Sequence, residues 1–89
     1  MTRTLRYADA ALNGFATIEP EKIRQQIRAR IEALCDVPTP AGCRKLKGVA
    51  PTPGRTVYRV RQGDYRIVYG VGSDDILVFG IGHRKDIYR

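Results

Sequence analysis

The 89-residue sequence is poor in the side chains that build metal centres and disulfide frameworks. Its two cysteines and one histidine are too few for a structural zinc site or a disulfide scaffold, and such cysteine usage is typical of a reducing compartment. Cys35 and Cys43 are expected to be a buried thiol and a loop thiol. The sequence also has no His-x-x-x-His pair, no Cys-x-x-Cys pair and no paired-carboxylate site. We therefore expect neither a metal nor a cofactor.

Long apolar runs are also missing. No stretch approaches the roughly 20 residues that a membrane-spanning helix needs, and no signal-peptide core follows Met1. There is no internal repeat, and the length leaves room for one domain with one hydrophobic core. The sequence therefore predicts a single cytoplasmic domain over residues 1–89, without membrane contact.

Acidic side chains are scarce relative to basic ones, with 9 against 16, so the net charge is +7. Residues 1–43 hold six basic and five acidic side chains, whereas residues 44–89 hold ten and four. A basic excess confined to one half predicts a binding face for a polyanion, with nucleic acid as the default partner. Because a metal-dependent nuclease needs clustered carboxylates, any phosphodiester chemistry of this chain would be metal-free.

The first half of the chain has the pattern of a strand followed by two helices. Residues 2–7 predict a short strand, and residues 8–16 predict a weak helix because Asn13-Gly14 lowers its helix propensity. A second helix is predicted from Pro20, since proline is favoured at a helix start. Apolar residues then recur at spacings of four, four and three, which is one stripe of a helix. These residues are Ile23, Ile27, Ile31 and Leu34.

The second half changes to the two-residue period of strands. Residues 56–61 and 65–69 are β-rich runs separated by Gln62-Gly63-Asp64, which is a hairpin signal. Residues 76–81 are apolar on both faces and predict an interior strand. The element order β-α-α-β-β-β predicts an α+β fold, with two N-terminal helices packed on one face of a mainly antiparallel, twisted sheet.

A two-residue turn at Gly63 and Asp64 would place Arg61 opposite Arg66 in the hairpin. One face would then carry the residues that pack on the helices, namely Tyr58, Val60, Ile67 and Tyr69. Arg59 joins the two opposed arginines on the other face. Because like charges opposite each other destabilise a sheet, a fixed anion such as phosphate accounts for this cluster. The alternative is a solvated face whose arginines splay apart.

Three short motifs resemble those of the RelE/ParE superfamily of toxins from type II toxin–antitoxin systems. They are Lys-Leu-x-Gly at residues 45–48, Tyr-Arg-x-x-Tyr at residues 65–69 and Gly-His-Arg-x-x-x-Tyr at residues 82–88. Each motif is weak by itself, but they occur in the order of the superfamily. Together with the predicted element order, they cover nearly the whole chain.

The resemblance implies either of two activities. RelE-type members cut mRNA in the ribosomal A site, whereas ParE-type members poison DNA gyrase and generally lack the complete catalytic set. Arg66, Arg84 and Tyr88 match the RelE-type pattern. Arg59 and Arg61 stand where the family carries lysines, and arginine stays protonated and is a poor base. His83 is therefore the candidate for proton transfer.

The resemblance thus favours a ribosome-dependent, metal-independent mRNA endonuclease that inhibits translation. In it a 2′-hydroxyl attacks the adjacent phosphodiester, Arg66 and Arg84 hold the phosphate, and Tyr88 orients the nucleotide. The residues expected to contact RNA phosphates are basic, namely Lys45, Lys47, Arg59, Arg61 and Lys85. Lys45 and Lys47 can equally be read as a solvated loop.

Two alternatives to an mRNA endonuclease remain open, a ParE-type toxin that inhibits gyrase and a non-catalytic nucleic-acid-binding module. The partners implied by the resemblance are mRNA, ribosomal RNA and a cognate antitoxin. The antitoxin of this family is an extended or helical, often acidic, segment wrapped over the toxin. We therefore expect a toxin–antitoxin hetero-oligomer.

Overall fold

The computed structural model describes residues 3–46 and 54–83, which form two helices and one five-stranded sheet. The elements in chain order are β1 Thr4–Tyr7, α1 Asp9–Ala16, α2 Glu21–Ala33, β2 Arg44–Lys45, β3 Thr56–Gln62, β4 Tyr65–Val71 and β5 Asp75–His83. The strands lie in the order β1-β5-β4-β3-β2, and β1 pairs parallel with β5 while all other pairs are antiparallel. The predicted α+β fold is confirmed, and the structure adds the edge strand β2.

Helix α2 begins one residue after the proline that predicts it. Pro20 is the N-cap, in an extended conformation (φ −73°, ψ 172°), and Glu21 is the first acidic residue of the helix. The predicted apolar stripe faces the sheet, because Ile27 and Ile31 are fully buried and Ile23 packs against the same core. This stripe is what attaches the helix to the sheet.

Helix α1 lies so close to the sheet that it requires a glycine. A Cβ atom on Gly14 would come within 2.4 Å of the Ile81 carbonyl oxygen in β5. The glycine that lowers the helix propensity of residues 8–16 in the sequence is therefore the residue that allows this contact.

Strand β5 contains one extra residue, which changes the face of everything that follows it. Val68 of β4 pairs with Gly80, but its neighbour Tyr69 pairs with Val78, so Phe79 is left over as a bulge. The buried side chains of β5 are consequently spaced by two and then by three residues, at Ile76, Val78 and Ile81.

Both helices contribute to one core on one face of the sheet. The core contains residues of α1 and α2 together with Val60, Ile67 and Tyr69 of the hairpin. Neither described helix covers the opposite face, called the outer face below. No helix within the described part of the chain is long and apolar enough to cross a membrane.

Candidate phosphate-binding site

The β3–β4 hairpin has the register that its turn sequence predicts. Arg61 lies opposite Arg66, Arg59 lies opposite Val68, and Tyr58 lies opposite Tyr69. In the turn, Gly63 has a φ of +60°, whereas no non-glycine residue of the described chain has a positive φ. A positive φ at the first turn residue alone is the pattern of a type II′ turn, whose twist suits a two-residue hairpin.

Four arginines of the outer face surround one open cleft, which we call the arginine cleft. Its volume is about 580 Å³, and its walls are formed by Gly42, Cys43, Arg44, Arg59, Arg61 and Arg66. None of these six residues carries a carboxylate. Since a guanidinium group binds phosphate through two parallel hydrogen bonds, the cleft has the chemistry of a site for phosphate groups.

Arg44 enters the cleft from the edge strand, and sequence reasoning missed it. It pairs with Arg59 in the sheet, so the two side chains share the outer face. Lys45 pairs with Tyr58 and therefore lies on the helix-facing side. The structure thus places Arg44 beside the hairpin arginines, while it separates Lys45 from them. A strand of two residues has no periodicity that could have revealed this assignment.

The segment that leads into β2 is attached to the core. The Tyr69 hydroxyl donates a hydrogen bond of 2.6 Å to the Pro38 carbonyl oxygen. Burial raises the pKa of the Tyr69 phenol, and the nearby Cys43 thiol adds to the effect, so the hydroxyl keeps the proton it donates. Gly42 then adopts a φ of +90°, which favours glycine, and the chain turns into the edge strand.

A carboxylate at the other end of the outer face is already paired with arginines. Arg55 donates to both carboxylate oxygens of Asp75, at 3.1 Å from Nε and 2.5 Å from Nη2. Arg6 lies 3.5 Å from the same carboxylate. The hydrogen bonds from Arg55 lower the pKa of Asp75, so this group stays ionised and engaged with its partners.

His83 lies on the helix-facing side of the sheet. It pairs with Tyr65, and the two rings meet edge to face, with centroids 5.7 Å apart and planes at 80°. Both residues, with Ile23 and Gln26 of α2, line a separate pocket of about 370 Å³. The structure therefore does not bring His83 to the face that carries Arg66. Its role in proton transfer stays a prediction.

Several predicted site residues lie outside the described residues, namely Lys47, Arg84, Lys85 and Tyr88. Arg84 directly follows the last residue of β5 in the sequence. Within residues 3–46 and 54–83, no three His, Cys, Asp or Glu side chains are grouped so that they could hold a metal ion. Cys35 is buried, as expected, and burial raises the pKa of its thiol, while Cys43 is half-buried in the wall of the arginine cleft.

The family follows from a comparison of the sequence with protein-family models. The model described as the ParE toxin of type II toxin–antitoxin systems, parDE, matches residues 5–88. The chain belongs to this toxin family. The expected membership of the RelE/ParE superfamily is thereby confirmed, and the protein is a toxin of a type II toxin–antitoxin system. A search of curated proteins gave no match.

Solved structures of RelE-like toxins share the fold of this toxin. The archaeal RelE–RelB complex from Pyrococcus horikoshii matches with a TM-score of 0.78 and 23% identity, over 97% of this chain and 99% of that one. The RelB–RelE antitoxin–toxin complex from Methanococcus jannaschii matches with a TM-score of 0.70 and 28% identity, over 93% and 94%. The YoeB dimer from Staphylococcus aureus has a TM-score of 0.70 and 17% identity, over 93% and 98%.

Proposed function

We propose that this toxin is a metal-independent endoribonuclease of the RelE type, which cuts mRNA in the ribosomal A site and so inhibits translation in the cytoplasm. The observation that carries the proposal is the opposed pair Arg61 and Arg66 in a cleft of arginines. A guanidinium group binds phosphate through two parallel hydrogen bonds, so four of them around one cleft favour a phosphate ligand. The likeness to solved RelE toxins supports the RelE-type choice.

The chemistry that suits such a cleft needs no metal. The RNA 2′-oxygen attacks the adjacent phosphorus and loses its proton, the bond to the 5′-oxygen breaks, and that oxygen takes up a proton. The products are a 2′,3′-cyclic phosphate and a free 5′-hydroxyl. Negative charge grows on the phosphoryl oxygens during the attack, and Arg66 would stabilise it. One preorganised donor of this kind typically contributes about 3–4 kcal/mol.

The remaining roles in the proposal come from the resemblance. Arg84 would hold the same phosphate, and Tyr88 would stack on the nucleotide, which is worth roughly 1–3 kcal/mol for one base. Lys45, Lys47 and Lys85 would contact RNA backbones, including that of ribosomal RNA. The toxin would be neutralised by a cognate antitoxin in a hetero-oligomer, and RelE relatives solved in complex with RelB support this partner.

A second candidate function is inhibition of DNA gyrase. It is favoured by the family model, which is described as that of the ParE toxin. A gyrase inhibitor would block supercoiling by purified gyrase and leave translated mRNA intact. A non-catalytic binding module would leave both supercoiling and translated mRNA unaffected.

The test is cleavage of a defined mRNA on purified ribosomes, with new 5′ ends mapped by primer extension. We expect cuts at the A-site codon for the wild type and a loss of at least 100-fold in rate for Arg66→Ala. Arg28→Ala is the matched control, because Arg28 is an exposed arginine of α2 that pairs with Glu32. Intact mRNA with the wild type, together with blocked supercoiling, would replace this proposal by the second candidate.

A further inference from the structure

We propose that Arg44 binds a second phosphate of the RNA, next to the one that is cleaved. This inference rests on the proposed function, since it assigns a further subsite to the same cleft. Its basis is the edge strand β2, which aligns Arg44 with Arg59 on the outer face. Neither the sequence motifs nor the family resemblance assigns a role to Arg44.

The register arranges the four arginines as two rows across the sheet. One row is Arg61 and Arg66, and the other is Arg44 and Arg59. Within a row, facing Cβ atoms are roughly 4.5–5.5 Å apart, which lets two guanidinium groups reach one phosphate. Arg59 and Arg61 are two residues apart on β3, so the rows are separated by roughly 6–7 Å.

Two rows of paired arginines provide a clamp for each of two phosphates. A single RNA strand lying along β3 would place one phosphate at the Arg61–Arg66 row and its neighbour at the Arg44–Arg59 row. Each row can bind one phosphate in the same way, because a guanidinium group binds phosphate through two parallel hydrogen bonds. The edge position of Arg44 leaves it exposed and open to a strand that enters from the rim of the sheet.

The alternative is that Arg44 only protects the sheet edge, since charged side chains on edge strands discourage pairing with other chains. In that case Arg44 would have no effect on nucleic-acid binding beyond its general charge. Arg28 separates the two readings, because it is an exposed arginine of the same charge that lies on α2 and outside the arginine cleft.

The binding test uses a fluorescent single-stranded 2′-deoxyoligonucleotide, which lacks the attacking hydroxyl and stays intact. Its dissociation constant for the full-length toxin is measured by anisotropy over a range of salt concentrations. For single strands, each neutralised phosphate contributes about 0.7 to the slope of log K against log salt. We expect Arg44→Ala to lower the slope by about 0.7 and Arg44→Lys to restore most of it. Arg28→Ala should leave the slope unchanged.

Cys43 provides a native reporter of occupancy, because this half-buried residue lines the cleft. Cys35 is buried and its raised pKa slows its reaction with alkylating reagents. We expect the oligonucleotide to slow alkylation of Cys43 in the wild type, and to do so less in Arg44→Ala at the same concentration. Unchanged protection in Arg44→Ala would overturn the inference.

The outcomes for the two proposals are separable. If mRNA is cleaved, Arg44→Ala should raise KM with little change in kcat, whereas Arg66→Ala should lower kcat. If Arg44→Ala lowers the salt slope but the wild-type toxin cleaves no mRNA, the Arg44 subsite is retained and the nuclease proposal is rejected. Equal losses of slope in Arg44→Ala and Arg28→Ala, or no oligonucleotide binding by the wild type, would reject the subsite.

Discussion

The Tyr69 hydroxyl donates a hydrogen bond to the Pro38 carbonyl oxygen at 2.6 Å. Tyr69 is fully buried on the helix-facing side of β4, and Pro38 belongs to the segment that leads from α2 into β2. One side chain of the hydrophobic core therefore fixes the wall of the arginine cleft, which opens on the other face of the sheet. The geometry of the cleft depends on packing that does not itself contact a ligand.

Loss of the hydrogen bond between Tyr69 and Pro38 should weaken phosphate binding without removing any charge. We expect Tyr69→Phe to lower the free energy of unfolding by about 1 kcal/mol, the usual net value of such a hydrogen bond. Alkylation of Cys43 should become faster, since the segment that carries it loosens. Tyr58→Phe is the control, because it removes a hydroxyl from the ring stacked on Tyr69, 5.9 Å away between centroids. An unchanged alkylation rate in Tyr69→Phe would contradict the role of this hydrogen bond in holding the segment that carries Cys43.

The opposed pair Arg61 and Arg66 predicts a conflict between stability and activity. Arg61→Thr removes the repulsion and introduces a good strand former, so the protein should be more stable by up to about 1 kcal/mol at low salt. The gain should shrink at 1 M salt, where the Debye length is about 3 Å. Thermal unfolding at both salt concentrations measures this gain in stability. The rate of mRNA cleavage by the same variant should fall. A variant no more stable than the wild type at low salt would argue against mutual repulsion.

The close approach of α1 to β5 predicts that Gly14 is a sensitive position. Alanine gains about 1 kcal/mol in helix propensity over glycine. The new Cβ atom, however, would lie 2.4 Å from the Ile81 carbonyl oxygen, which is backbone and cannot rotate away. We expect Gly14→Ala to be destabilising by about 1–3 kcal/mol in denaturant unfolding. Gly80→Ala should be near neutral, because nothing lies within 4 Å of its Cβ position.

The lowered pKa of Asp75 predicts a loss of stability in acid. A carboxyl group whose pKa is lowered by folding stabilises the folded protein at pH values above the pKa of the unfolded chain, near 3.9. This contribution to stability is lost as the pH falls through the pKa of the folded protein. Asp75→Asn should therefore lower the melting temperature at pH 6 and have a smaller effect below pH 3. Asp64→Asn, in the exposed hairpin turn, is the control. An effect of Asp75→Asn that is equal at both pH values would refute the ionic contribution.

The predicted proton-transfer role of His83 can be tested by its pH dependence. If His83 transfers the proton, His83→Gln should abolish the limb of the pH–rate profile near the ordinary histidine pKa of about 6.5. The edge-to-face contact with Tyr65 gives His83 a packing role as well. A retained pH limb, accompanied by a lower melting temperature, would assign His83 to packing alone.

Local patterns predicted the parts of the fold that repeat. The stripe from Ile23 to Leu34 predicted α2, and the turn at Gly63 predicted the pairing of Arg61 with Arg66. The bulge at Phe79 was not predictable, because apolar residues on both faces of β5 hide a change of register. That one residue is what puts His83 on the helix-facing side rather than beside Arg66.

The parallel pairing of β1 with β5 also constrains how this toxin is made. Strand β5 follows every other described element along the chain, yet it lies between β1 and β4 in the sheet. While the ribosome is still synthesising residues 75–83, β1 has no neighbour and the β2–β4 segment has an open edge. The sheet can therefore close only after residues 75–83 have been made, which delays the appearance of a folded toxin until that strand is available.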